Sequence, residues 1–277
     1  MQKISNNNRI KLRTAKISLF VGIFLLVIKF VAYIITDSAA IFSDAAESVI
    51  NVVASTVALF SIMLSSKPAD RDHPYGHGKV EYFSAGFEGF LVALAAAVII
   101  YTSIERIIIG SHPLQLGMGI LLIGIASIIN LVLSLYIIRN GKKTDSLALI
   151  ADGKHILTDV YTSAGIIIGL IIVIITDMYI FDPIIAILVA VNIFATGFNL
   201  VRQSVGGLMN EVDPKTLNKI SDTLIESRKS YWIDLHELRF WKSASTTFVD
   251  FHLILPYYFS IKQAHDSDDL ISAKLKE

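Results

Sequence analysis

The chain has 277 residues, no cysteine, and 24 basic against 24 acidic side chains, so its formal net charge is zero. Hydrophobic residues make up 53% and charged ones 17%, and the mean hydropathy is +0.61. This balance excludes a disordered chain and an ordinary soluble enzyme; the neutral total leaves no basic field for nucleic acid, and the lack of Cys excludes disulfides and thiolate metal ligands.

What remains is a polytopic membrane protein. Lys3, Arg9, Lys11, Arg13 and Lys16 precede an apolar run over 17–35. That run is too long for a signal peptide and no small-residue cleavage pattern follows it, so it reads as a first transmembrane helix. Six apolar segments of spanning length are expected, over 14–36, 39–65, 80–109, 115–138, 146–175 and 181–204. Lys and Arg lie in the N-terminus, in the second connector (Lys67, Arg71, Lys79) and in the fourth (Arg139, Lys142, Lys143), whereas the connectors around Asp37, His112 and Asp177 have none. By the positive-inside rule both termini are expected in the cytoplasm, with the protein in the inner or plasma membrane.

After the sixth segment the composition changes. Residues 213–229 predict an amphipathic helix with Asp213 as N-cap, Pro214 at its first position, and Leu217, Ile220, Leu224 and Ile225 as its apolar stripe. Alternating strands are expected over 234–242 and 246–255, then a helix from Ile261 to the end. The predicted organisation is a six-helix transmembrane domain, 1–208, followed by a small cytoplasmic α-β-β-α domain, 209–277, which lacks a third strand and is therefore expected to be incomplete.

Two apolar segments carry the same polar spacing. Segment two has Asp44, Glu47 and Asn51, and segment five has Asp152, His155 and Asp159. Positions i, i+3 and i+7 share one helix face, and ionisable groups there are costly in a bilayer, so the pair points to a buried ion site. Glu47, Asn51, His155 and Asp159 would supply two carboxylates, an imidazole and an amide oxygen. With neutral His this set carries −2, which balances a divalent cation, and imidazole beside oxygen suits a first-row metal better than Mg²⁺ or Ca²⁺. Asp44 and Asp152 lie on the same faces, either as ligands or, as we favour, orienting the ligands from behind and lining a water path.

The run Ser43-Asp-Ala-Ala, the connector from Lys67 to Glu81 with its His73-Pro-Tyr-Gly-His77-Gly-Lys79 core, and Ala151-Asp-Gly-Lys-His155-Ile-Leu-Thr-Asp159 resemble the cation diffusion facilitator family along the whole chain. The resemblance implies six helices, a cytoplasmic metallochaperone-like (ferredoxin-like) domain, a homodimer, and export of Zn²⁺ or related divalent ions (Fe²⁺, Mn²⁺, Co²⁺, Cd²⁺) against protons. It implies a tetrahedral transport site at Glu47, Asn51, His155 and Asp159, with Zn²⁺ the first choice. Family members usually have Asp or His at position 47 and Asp at 51, so this site is richer in neutral and longer oxygen donors, which opens it to Mn²⁺ or Fe²⁺.

Further sites follow from the resemblance. Asp70, His73 and His77 match a second, variable metal site, against which stands a Pro- and Gly-rich loop whose imidazoles merely face water. His236, His252 and His265 match positions that bind regulatory metal between subunits. Lys79 resembles a lysine that interlocks the dimer, for which Glu211 is the acid at hand. Apart from the transported or regulatory metal no cofactor is expected, and the partners are metal ions, protons, lipid and a second copy of the chain. Two rivals remain: a metal sensor or scaffold without transport, and a membrane metalloenzyme, for which no general-base cluster is evident.

Overall fold

The computed structural model describes residues 2–36, 39–109, 118–176, 180–244 and 246–276. The connectors around Asp37, His112 and Asp177, and the side chains of Asp44 and Glu47, lie outside the described residues. Six long helices come first: α1 (Gln2–Thr36), α2 (Ala39–Ser65), α3 (Val80–Ile109), α4 (Met118–Thr144), α5 (Leu147–Thr176) and α6 (Phe181–Leu208). Five contain stretches long and apolar enough to cross a bilayer: Asn6–Val31, Ser48–Ser65, Val80–Ile109, Gly124–Thr144 and Pro183–Leu208. The sixth, α5, has 30 residues and is apolar throughout 166–175 apart from one glycine. At about 1.5 Å per residue it exceeds the ~30 Å hydrocarbon layer.

Two helices run furthest beyond their expected limits. α1 starts at Gln2 rather than near residue 14, because nothing in the basic N-terminal stretch breaks a helix. α4 continues to Thr144, so Lys142 and Lys143 lie in its last turn, where cations complement the helix dipole. The α4–α5 link is then a tight turn in which Asp145 takes a left-handed φ of 51° and Ser146 N–H donates to Gly141 C=O at 2.9 Å.

Small residues set the helix pairing. α3 lies along α6, α4 along α5 and α1 along α2. A Cβ on Gly197 of α6 would come within 2.6 Å of Ala93 N and 2.7 Å of Gly89 O on α3. Such close backbone approach replaces the hydrophobic drive that lipid cannot provide. Ala85, Ala151 and Leu200 form a buried contact joining α3, α5 and α6.

The small domain contains α7 (Pro214–Glu226), β1 (Asp234–Ser243), β2 (Thr246–Ile254) and α8 (Ile261–Lys276). The Asp213 carboxylate accepts from the N–H groups of Lys215 and Thr216, a cap worth about 1 kcal/mol. The antiparallel strands place His236 opposite His252, and the register shifts between His236 and Arg239, where Glu237 has a φ of 55°. Ile220, Leu224, Trp232, Phe240 and Ile271 form the core. The hairpin touches the membrane bundle: Tyr75 meets Trp241 and Phe248 edge-on at 5.4 and 5.5 Å, and Lys242 lies 3.9 Å from Asp145.

Candidate metal centre

The two polar faces meet where α2 crosses α5. His155 and Asp159 are one turn apart on α5 and only 5% and 8% exposed. The Asn51 amide bridges them: its Oδ1 lies 2.8 Å from His155 Nε2, and its Nδ2 donates to Asp159 Oδ2. His155 Nδ1 is buried with no hydrogen-bond partner among the described residues. An imidazole, an amide and a carboxylate thus converge inside the bilayer region, each one a donor type that binds first-row metals.

Nearer the small domain, Asp152 is fully buried, and both its oxygens are taken. Ser18 Oγ donates to Oδ2 and Ser55 Oγ to Oδ1, each at 2.7 Å. These serines from α1 and α2 were not evident as site residues from the sequence. The available signal was spacing, since Ser55 follows Asn51 by one turn.

A third polar layer lies at the end of the bundle beside the small domain. Lys11, counted by sequence with the basic N-terminal cluster, is only 1% exposed, and its Nζ lies 2.9 Å from Glu81 Oε1. Ser65 Oγ donates to the same oxygen at 2.9 Å, and Ser146 Oγ donates to Oε2. Lys11 is thus a structural ion-pair partner, and removing one member of so buried a pair costs about 3–5 kcal/mol.

The loop between α2 and α3 brings Asp70, His73 and His77 together. Their ligand atoms lie within 4.8 Å of one another, and the two imidazole rings are 4.4 Å apart. The His73 backbone N–H donates to Asp70 at 2.7 Å and holds that carboxyl below its ordinary value.

The cytoplasmic histidines divide. His236 and His252 face each other with ring centroids 5.5 Å apart, and His236 Nδ1 lies 2.8 Å from Asp234 Oδ2. Their third neighbour is Glu237, whereas His265 groups with Asp268 and Asp269. α8 turns Ser267 and Ile271 into the core, which leaves His265 on its outer face. Glu237 escaped the sequence reading because strict alternation puts neighbours on opposite faces, and only the bulge brings it beside His236. Lys79 and Glu211 do not meet within the chain: Lys79 Nζ lies 3.4 Å from Leu208 C=O, while Glu211 accepts both guanidinium arms of Arg202. That guanidinium holds the Glu211 carboxyl below its ordinary value.

A six-helix membrane bundle with such a buried ligand group and an appended α/β domain has the architecture of a metal-cation transporter. The chain belongs to the cation efflux, or cation diffusion facilitator, family: residues 15–209 match the cation efflux transmembrane domain, and residues 212–277 match the cytoplasmic domain of cation efflux proteins. It is 34% identical over 252 residues to an uncharacterized transporter from Synechocystis, covering 90% of this chain and 81% of that one. It is 30% identical over 269 residues to the manganese efflux system protein MneP of Bacillus subtilis, covering 95% and 90%. The cation-efflux pump FieF of Shewanella oneidensis is 27% identical over 266 residues, covering 95% and 88%. The chain is therefore a metal-cation efflux transporter and not an enzyme.

Proposed function

We propose that this chain exports a divalent first-row metal from the cytoplasm in exchange for protons, binding it at Glu47, Asn51, His155 and Asp159. The observation that carries this reading is the Asn51 amide bridging His155 and Asp159 inside the bundle. Without metal, the three side chains satisfy one another through hydrogens. A cation entering between them takes the place of those hydrogens, so His155 must offer the Nε2 lone pair with its one remaining proton on Nδ1, and an imidazolium must first give up its second proton. Metal binding and proton release are thereby linked at one imidazole. Asp152, fixed by Ser18 and Ser55, adds negative potential beside the site and holds the helices in register.

The set offers three oxygen donors to one nitrogen. With a neutral amide oxygen at Asn51 and the longer Glu47 among those oxygens, the set favours Mn²⁺ over Zn²⁺, which reverses the order implied by the family resemblance. A relative named for manganese efflux that aligns over 95% of the chain supports the same order. In this reading, residues 1–208 form the transport domain and 209–277 a cytoplasmic regulatory domain. Both termini face the cytoplasm of the inner or plasma membrane, as the Lys and Arg distribution supports. Two copies form a homodimer, with Lys79 and Glu211 at its junction, and regulatory metal is held by the Asp70 loop and the cytoplasmic histidines.

Reconstituted protein in proteoliposomes tests the assignment. His155→Ala and Asp159→Ala should each abolish Mn²⁺/H⁺ exchange, a loss larger than the roughly 10–100-fold that outer partners of a metal site cost. Exchange retained in both variants would remove the site from this position.

A further inference from the structure

A cavity of about 540 Å³ opens where the bundle meets the small domain. Six charged residues line it: Glu81, Asp145, Glu211 and Asp213 against Arg202 and Lys242, an acidic excess. Five of them stand at its accessible walls; only Glu81 is buried, at 2% exposure, and it reaches the cavity while paired with Lys11. Behind Glu81 the interior continues as polar layers. Ser146 near Glu81, just before α5, is followed along that helix by Asp152 with Ser18 and Ser55 and by Asp159 with Asn51 and His155. At about 1.5 Å per residue the layers are spaced by roughly 10 Å. Glu81 thus stands between an acidic entrance and the transport ligands.

We propose that Glu81, with the hydroxyl oxygens of Ser65 and Ser146, is a cation-admission site whose place is held by the Lys11 ammonium. The cradle has a carboxylate and two neutral oxygens, suited to a divalent cation partly stripped of water. The ammonium is a tethered monovalent substitute that satisfies the same carboxylate and closes the path. An incoming divalent cation, drawn in by the acidic cavity, competes with it through its greater charge. Lys11 thereby keeps a buried carboxylate paired between transport events and admits only ions able to displace it. This rests on the assignment of Asn51, His155 and Asp159 as the transport site.

The natural chain has no cysteine, so a single Ser55→Cys reports access to the middle layer. A membrane-impermeant thiol reagent is added from the side that carries the termini. Lys11→Gln should speed labelling about tenfold or more, the population shift expected when a buried pair is lost. Lys11→Arg, which keeps the charge, should leave labelling slow. In an Asp159→Ala background, Lys11→Gln should gain one Mn²⁺ equivalent by equilibrium dialysis, and adding Glu81→Gln should remove it. Unchanged labelling in folded Lys11→Gln, or an equivalent that survives Glu81→Gln, would overturn the proposal. Should Lys11→Gln fail to fold, Ser65→Ala and Ser146→Ala keep both charges and should speed labelling to a lesser degree; unchanged labelling in both would equally overturn it. Neither readout involves transport. Exchange retained in both Asp159→Ala and His155→Ala would sink the transport-site assignment alone.

Discussion

Two groups of metal-ligating side chains in this molecule differ in what surrounds them. At the α2–α5 crossing, Asn51, His155 and Asp159 are held by one another inside packed helices, with His155 5% exposed. On the cytoplasmic hairpin, His236, Glu237 and His252 also lie close together, but Glu237 and His252 are exposed and Glu237 is shared with Arg239 at 2.9 Å. The chemistry of the donors is similar. What differs is the dielectric and the freedom to rearrange: buried ligands interact strongly and cannot turn to water, while exposed ones exchange their partners for solvent at little cost. Proximity alone therefore does not rank the two groups.

The largest expected contrast is in transport itself. His155→Ala should abolish Mn²⁺/H⁺ exchange, whereas His236→Ala and His252→Ala should keep exchange and alter only its dependence on metal concentration. Loss of exchange in the hairpin variants, with His155→Ala active, would reverse the comparison. One step smaller is Asp152→Asn, which keeps the size but weakens the two hydroxyl bonds and removes a charge behind the ligands. Exchange should fall about 10–100-fold with the fold intact, as measured by initial rates and by thermal unfolding.

The contrast was only partly legible in the sequence. Hydropathy and the placement of Lys and Arg gave the helices, because backbone satisfaction in a bilayer leaves few alternatives. The i, i+3, i+7 faces gave Asn51, His155 and Asp159. Lys11 was hidden, since a basic residue before an apolar run signals topology equally well, and its partner lies 70 positions away. Ser18 and Ser55 were hidden because serine is common at helix interfaces and only the tertiary fold turns both toward Asp152. Glu237 was hidden by a bulge that no alternation pattern predicts, and the place of His265, which the resemblance brings to the hairpin from the last helix, depends on how α8 packs rather than on local spacing.

A smaller effect probes the ligand set directly. Asn51→Asp replaces a neutral oxygen between His155 and Asp159 with an anion, the third carboxylate of the proposed set. Competition among Mn²⁺, Fe²⁺, Co²⁺, Zn²⁺ and Cd²⁺ for exchange should move toward Zn²⁺ by about tenfold, while total turnover stays within a few-fold of the parent. An unchanged metal order would show that Asn51 does not set selectivity, and the preference drawn from its neutral amide oxygen would fail with it.

The smallest effect concerns acid at the hairpin. The hydrogen bond from His236, with help from the Leu235 backbone N–H, holds the Asp234 carboxyl below its ordinary value of 3.8. A carboxyl depressed by folding stabilises the folded state above its unfolded value, and that contribution fades as pH falls through the lower folded value. The contribution of Asp234 should therefore be constant between about pH 5 and 7 and fade only in stronger acid. Because Asp234 is exposed, the stability change should be small, and Asp234→Asn should unfold within a degree or two, about the scale of other surface changes. The same variant has a larger consequence for metal. Asp234 binds Nδ1 of His236 and so leaves Nε2 free to point at His252, which is how an outer carboxylate fixes a ligating imidazole. Hairpin metal affinity in Asp234→Asn should fall roughly 10–100-fold with exchange at the buried site unaltered. If transport fell in step with hairpin affinity, the two regions would be one coupled device, and the exposed cluster would matter as much as the buried one.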